Sequence, residues 1–135
     1  MAVEQLIRVE ADGTLSFGNH TLSEKAKLED FKYNGDLLKV KTYVPMTKLE
    51  KNGMFAYESV PGTSVHNFVE NESGVTFKVE GSEDAQVTVG LEEDADYEVI
   101  VGGTNTGKMK TNMGGKLSFN VELGSGLVDV VIKKA

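Results

Sequence analysis

Apolar and polar side chains alternate with a period of two through much of the chain, above all in its second half. Because successive side chains of a strand point to opposite faces, this period predicts strands with one buried side and one solvent-facing side. The alternating stretches are Val75–Glu80, Val87–Leu91, Tyr97–Val101, Leu117–Leu123 and Leu127–Lys133.

Glycine-containing pairs separate these stretches at short intervals. Asn-Gly and Asp-Gly between alternating stretches indicate tight hairpins, because a type I′ turn needs positive φ at both central residues. The spacing is typical of an all-β sandwich or barrel. The pairs are Asp12-Gly13, Asn34-Gly35, Asn52-Gly53, Ser73-Gly74, Gly102-Gly103, Gly114-Gly115 and Ser125-Gly126.

Leu22–Tyr33 is the one segment where a helix competes seriously with a strand. Its composition suits a helix, and Ser23 is a candidate N-cap. Its apolar residues, however, form no stripe with a period of 3.6, and the Asn34-Gly35 turn leads directly into Leu37–Tyr43, which reads as a return strand. At least Lys27–Tyr33 is therefore predicted to be strand.

The composition fits one domain that spans residues 1–135. Fifteen glycines against two prolines favour many short strands, because glycine supplies the positive φ of tight turns. The predicted fold class is all-β, an antiparallel two-sheet β-sandwich of the jelly-roll or immunoglobulin-like kind with roughly ten short strands.

The charge balance excludes several classes of partner. The chain has 14 basic and 21 acidic residues, a net charge of −7, and Arg8 is its only arginine. Nucleic acid and anionic membrane surfaces are not expected to bind, since both need clustered Lys and Arg. No apolar run reaches the roughly 20 residues that span a bilayer, and no secretory signal opens the sequence. A cytoplasmic location is the expectation.

Gly102–Lys108 has the spacing of a phosphate-binding loop. In that loop a glycine is followed by four residues and then by Gly-Lys. Such a loop needs Ser or Thr next and a helix behind it, but Met109 follows and no helix start is present. A glycine-rich connection between Tyr97–Val101 and Lys108–Thr111 explains the residues. No nucleotide or other cofactor is predicted.

The sequence gives little support for a metal site or a catalytic site. Cysteine is absent, which excludes disulfides and thiolate ligands. The acidic run Glu92-Glu93-Asp94 with Asp96 lacks the spacing of a calcium loop and is predicted to be a solvated turn. No metal ligand and no catalytic residue is assigned.

One set of polar residues is a candidate ligand site. Tyr57 and Glu58 precede the Pro61-Gly62 pair, while His66 and Asn67 follow it, so a hairpin would bring the four together. Alternation puts His66 on the same face as Phe68. The alternative is that His66 is an ordinary surface or half-buried strand residue.

Nearly the whole chain resembles a small bacterial family often labelled "endosialidase". The resemblance implies activity on glycans, with no established catalytic residues to carry over. It is carried by Ala11–Asn19, Lys48–Met54, Tyr57–Thr63, Gly107–Asn112 and Gly114–Ser118.

The activity in that label conflicts with the composition. Sialidases resemble one another in holding the substrate carboxylate with several arginines on a large β-propeller, whereas this chain has only Arg8. A chain of 135 residues is also too short for such a propeller. The C-terminal half, from Tyr97 to Val130, is similar to accessory β-sandwich modules of bacterial polysaccharide-degrading enzymes, which suggests a glycan setting.

Three functions follow from these observations. The leading one is a non-catalytic binding or assembly module, with a glycan-like ligand as the first candidate. The second is a homo-oligomeric structural protein, whose edge strands or apolar outer faces pair between chains. The third is a glycan-active enzyme, as the family label implies.

Overall fold

The computed structural model describes residues 2–124 and 126–135, and every regular element in these ranges is a strand. They contain no helix with the length and apolar character needed to cross a membrane. The thirteen strands are β1 (Ile7–Val9), β2 (Leu15–Phe17), β3 (Ala26–Tyr33), β4 (Asp36–Tyr43), β5 (Met46–Lys51), β6 (Met54–Val60), β7 (Ser64–Asn71), β8 (Gly74–Glu80), β9 (Ala85–Gly90), β10 (Asp96–Val101), β11 (Thr104–Lys110), β12 (Lys116–Val121) and β13 (Val128–Lys134).

The strands form two antiparallel sheets. The seven-stranded sheet has the order β1-β2-β7-β8-β13-β10-β11, and the six-stranded sheet has the order β12-β9-β6-β5-β4-β3. Every pair of neighbouring strands is antiparallel. The all-β class and the antiparallel two-sheet arrangement predicted from the alternation are thereby confirmed.

The apolar faces of the two sheets share one core, so the architecture is sandwich-like. Four aromatic rings lie at its centre. Tyr57 of the six-stranded sheet stands edge-to-face against Phe17 and Phe77 of the other sheet, with ring centroids 5.3 and 5.7 Å apart. Phe68 packs 5.5 Å from Phe17 and completes the cluster. Edge-to-face contacts add to the hydrophobic gain of burying the rings, so this cluster joins the two sheets.

The number of strands is thirteen rather than the predicted roughly ten. β1 and β2 have three residues each and are too short to show a period. β11 has no apolar alternation, so the sequence predicted that Thr104–Gly107 belong to a connection. In the structure the connection is only Gly102-Gly103. The segment for which a helix was the alternative forms β3, which confirms the strand prediction for Lys27–Tyr33.

The two predicted Asn-Gly hairpin turns have the backbone that type I′ geometry requires, whereas Asp12 of the Asp12-Gly13 pair has no positive φ. Asn34 and Gly35 have φ of 51° and 84°, and Asn52 and Gly53 have φ of 53° and 78°. Each pair is the whole connection between two neighbouring strands. The predicted turn at Ser125-Gly126 lies outside the described residues, because Ser125 is not among them.

Gly74, which opens β8, is expected to tolerate no side chain. Its φ is +143°, and a Cβ there would lie 1.9 Å from the carbonyl oxygen of Ile132 on β13. We expect Gly74→Ala to lower the free energy of unfolding by about 2 kcal/mol or more in urea titrations. Gly114→Ala is the control, since the nearest atom to its Cβ would be 3.4 Å away. Equal stability of the two variants would contradict the close approach of β13 to β8.

Candidate functional site

An open cleft of about 460 Å³ lies between the sheets, where the β3–β4 turn approaches the loop between β1 and β2. Its volume is within the range of small-molecule sites. Five apolar residues of the core line its interior, and all are buried. They are Leu15, Leu38, Leu49, Ala56 and Phe68.

Polar side chains surround this apolar interior. Asp12, Asp36 and Glu70 contribute carboxylates, Lys51 contributes one ammonium group and Tyr33 contributes a half-buried phenol. Three negative groups against one positive group make the rim acidic. An acidic rim favours ligands that donate hydrogen bonds and disfavours anions.

Local hydrogen bonds hold the rim in place. The Tyr33 hydroxyl donates to the Gly13 carbonyl oxygen at 2.7 Å and so joins β3 to the loop before β2. Asn52 Nδ2 donates to Asp36 Oδ1 at 2.9 Å, which joins the two Asn-Gly turns of the six-stranded sheet. These two contacts fix Tyr33 and Asp36 within the protein, so a ligand would not have to order these groups.

The Asp12 carboxylate is engaged within its own loop. The Thr14 N–H and hydroxyl both donate to Asp12 Oδ1, at 3.0 and 2.6 Å. These bonds favour the charged form, and the hydroxyl bond in particular lowers the pKa of Asp12. The group is therefore a charged acceptor at neutral pH.

An ion pair between the two sheets divides this cleft from a second one. Lys51 Nζ on β5 lies 2.6 Å from Glu70 Oε1 on β7, and its hydrogen bond to Glu70 raises the pKa of Lys51. The second cleft, of about 380 Å³, shares Lys51, Ala56 and Glu70 with the first and continues to Phe55 and Tyr97. The two clefts are thus adjoining parts of one groove between the sheets.

Tyr57 and Glu58, two of the predicted site residues, lie away from this cleft. Tyr57 is fully buried, and its hydroxyl shares a 2.8 Å hydrogen bond with Thr63 Oγ1 inside the core. Burial raises the pKa of the Tyr57 phenol, so it stays protonated. Glu58 follows it on β6 and points to the opposite face of the six-stranded sheet.

His66 and Asn67 lie on β7, in the other sheet, so the predicted hairpin with Tyr57 and Glu58 does not form. A β-bulge interrupts the pairing of β7 after His66, and Asn67 has a φ of 55°. The extra residue shifts the alternation: Phe68 packs in the core with Val65, while His66 stands opposite the exposed Lys78 on the outer face. The prediction that His66 shares a face with Phe68 is wrong for this reason.

The bulge organises a polar cluster at the start of the seven-stranded sheet. His66 Nε2 lies 2.9 Å from Glu80 Oε2, and Asn67 Nδ2 donates to Thr14 Oγ1 at 3.0 Å. The Asn67 N–H donates to Ser16 Oγ at 3.3 Å. Ser16 is wholly buried, so its hydroxyl is not open to a substrate. The contacts hold β2 and β7 together and leave the ligand-binding prediction for these residues untested.

Sequence reasoning missed the cleft because its residues come from five separate stretches of the chain. The one available signal was the Asn34-Gly35 turn, which sets Tyr33 and Asp36 opposite each other in register. Among the described residues, no group of three or more His, Asp or Glu side chains is placed to hold a metal ion.

Comparisons with known proteins identified no relative of this chain. No protein-family model, no curated protein and no solved structure matches the chain.

Glu10 provides a pH-dependent test of the polar cluster. Hydrogen bonds from Ser16 first, and from Arg8 second, lower the pKa of Glu10 in the folded protein. A lowered pKa stabilises the fold above the unfolded value of about 4.3, and the gain is lost as the pH falls towards the folded pKa. We expect the stability difference between the wild type and Glu10→Gln to shrink over that interval.

Urea unfolding at a series of pH values measures this difference. The control is Glu24→Gln, at an exposed position between β2 and β3. A difference between wild type and Glu10→Gln that stays constant from neutral pH to below pH 4 or so would contradict the assignment.

Proposed function

We propose that the protein is a non-catalytic binding module and that the cleft beside Tyr33 is its ligand site. The ligand class that fits is a neutral, polyhydroxylated molecule such as a short glycan. The observation that supports this is the combination of an apolar interior with three carboxylates and a phenol at its edge.

Each part of the cleft matches a part of a sugar. The half-buried Tyr33 ring offers a surface for the C–H face of a pyranose, and Ala56 and Phe68 line the floor of the cleft. The carboxylates of Asp12, Asp36 and Glu70 accept hydrogen bonds from hydroxyl groups, and bonds to charged acceptors are the stronger kind. A cleft with few polar groups and an apolar lining is the usual form of a small-ligand site.

The charge of the rim argues against a sialic acid. Among the described residues, Lys51 is the one cation that lines the rim, and it is already paired with Glu70. Arg8 lies next to Glu10 rather than among the cleft residues. An anionic sugar would meet three carboxylates without a free cationic partner in the cleft. The resemblance to the family labelled "endosialidase" stays a prediction, and its substrate is not the one proposed here.

Binding without hydrolysis is the better account of the carboxylates. Glycosidases need one carboxyl group with a raised pKa as general acid beside a second, ionised one. The pKa of Asp12 is lowered, Asp36 accepts a hydrogen bond from Asn52, and Glu70 is paired with Lys51. The bonds of Asp12 favour its ionised form, while Asp36 and Glu70 are already engaged by Asn52 and Lys51, so none of the three is placed as a general acid.

A glycan array followed by titration calorimetry tests the proposal. We expect binding of neutral glycans and none of sialylated ones. Asp36→Asn and Tyr33→Ala should each weaken binding roughly ten-fold or more, because each removes a contact with the ligand. Asp129→Asn and Tyr43→Ala are the matched controls, since neither residue lines the cleft.

Two results would contradict the proposal. One is the absence of binding to any neutral glycan, and the other is equal loss of binding in the cleft variants and their controls. Release of a shorter product during the same incubations would overturn its non-catalytic part. The cytoplasmic location and the jelly-roll or immunoglobulin-like assignment of the sandwich stay predictions.

A further inference from the structure

Three of the four sheet edges carry features that prevent pairing with another chain. β1 has only three residues. β3 has a bulge after Leu28 and four charged side chains, and β11 has an irregular register opposite Val99 together with a positive φ at Gly107. Short length, bulges and charges are the usual protection of an exposed edge.

The fourth edge, β12, lacks this protection. Its six residues pair with β9 in an uninterrupted register from Lys116 to Val121. The exposed side chains in its second half, Ser118 and Asn120, are uncharged. A regular edge of this kind is open to pairing with another strand.

The hydrogen bonds show which main-chain groups of β12 point outwards. The Leu91 N–H donates to the Gly115 carbonyl oxygen at 2.7 Å, so Gly115 and Leu91 are a hydrogen-bonded pair. Because such pairs alternate along an antiparallel ladder, Leu117, Phe119 and Val121 also bond to β9. The N–H and C=O groups of the even-numbered residues therefore face away from β9.

Asn112 occupies the first of these outward positions. Its Oδ1 accepts from the Lys116 N–H at 2.9 Å, and its N–H donates to the Lys116 carbonyl oxygen at 3.1 Å. Among the described residues, no hydrogen bond reaches the outward N–H and C=O groups of Ser118 and Asn120. The open part of the edge begins at Ser118.

We propose that a second copy of the chain pairs with this edge, antiparallel, β12 against β12, about a two-fold axis at Asn120. Asn120 then faces Asn120 of the other copy, and Ser118 faces Glu122. With the strand continued by one residue to Glu122 in the dimer, every outward group from Ser118 to Glu122 finds a partner. Six main-chain hydrogen bonds result if each of the three facing pairs exchanges two.

Side chains support this register over its neighbours. Registers centred on Ser118 or Phe119 would place Asn120 or Glu122 opposite Lys116, whose main-chain groups Asn112 already binds, so each would form fewer than six main-chain hydrogen bonds. With the axis at Asn120 no two like charges face each other, because Glu122 stands opposite the uncharged Ser118. On the core side Phe119 faces Val121, and Leu117 faces Leu123, so the apolar faces of the two six-stranded sheets become continuous.

The pairing leaves the proposed ligand site free. β12 is at one edge of the six-stranded sheet, and β3, which carries Tyr33, is at the other. A dimer would present two clefts, which strengthens attachment to a polymer with repeated binding units. The dimer proposal depends on the β12 edge alone and is tested independently of the glycan proposal.

Cysteine cross-linking tests the register directly, since the chain has no cysteine of its own. Facing Cα atoms in a hydrogen-bonded pair are about 5.5 Å apart, which suits a disulfide. We expect Asn120→Cys to form a disulfide-linked dimer under mild oxidation. Ser118→Cys on the same edge should not, because the two positions 118 would be roughly 14 Å apart along the strands. Lys32→Cys on the β3 edge is a second control.

Sedimentation equilibrium over a concentration series tests the pairing without cross-links. The wild type should show a monomer–dimer equilibrium that Asn120→Pro abolishes, because proline removes the outward N–H while an edge strand tolerates it. Asn120→Lys, which places like charges across the axis, should do the same if the proline variant folds poorly. Asn105→Lys on the β11 edge should leave the dimer intact.

A wild type that stays monomeric at every concentration overturns the proposal. So does cross-linking of Ser118→Cys or Lys32→Cys that equals that of Asn120→Cys. A dimer that neither Asn120→Pro nor Asn120→Lys weakens overturns the assignment of the interface to β12. Should one of these results occur while the protein still binds glycans, the dimer proposal fails and the ligand-site proposal stands, so the two failures can be told apart.

Discussion

The connection between β6 and β7 is the constraint on which the arrangement of the two sheets depends. Thr63 lies in it, and its Oγ1 shares hydrogen bonds with the Tyr57 hydroxyl at 2.8 Å and Ser59 Oγ at 2.7 Å. Its N–H and C=O both bond to Thr47 Oγ1. These groups are fully buried, so an unsatisfied one would be costly, and the network fixes where the chain leaves one sheet for the other.

Tyr57 links this network to the aromatic cluster and, through the cluster, to the cleft. Its hydroxyl holds Thr63 while its ring packs against Phe17 and Phe77. Phe68, which lines the cleft, packs 5.5 Å from Phe17. The inner wall of the cleft is therefore a continuation of the core, which explains why an apolar surface is held open beside a charged rim. Tyr57, which the sequence suggested as a ligand contact, lies fully buried in the core behind this wall.

Local patterns predicted the strands and turns well but did not identify the candidate cleft. Alternation identified β8, β12 and β13, and the Asn-Gly pairs marked two hairpins, because both depend only on residues a few positions apart. The same rule failed at His66, where the bulge at Asn67 changes which face a side chain occupies. It also could not show that β6 and β7 belong to different sheets, so it grouped Tyr57 with His66.

The sequence by itself determined an all-β chain with turns at Asn34-Gly35 and Asn52-Gly53, since backbone preference and side-chain alternation act over short distances. Only the tertiary structure decided which strands are neighbours, and with that the meeting of Tyr33, Lys51 and Glu70 at one cleft. It also decided that β12 ends a sheet, with no described hydrogen-bond partner for the outward main-chain groups of Ser118 and Asn120. Strand order arises from packing between distant segments, and no local pattern encodes it.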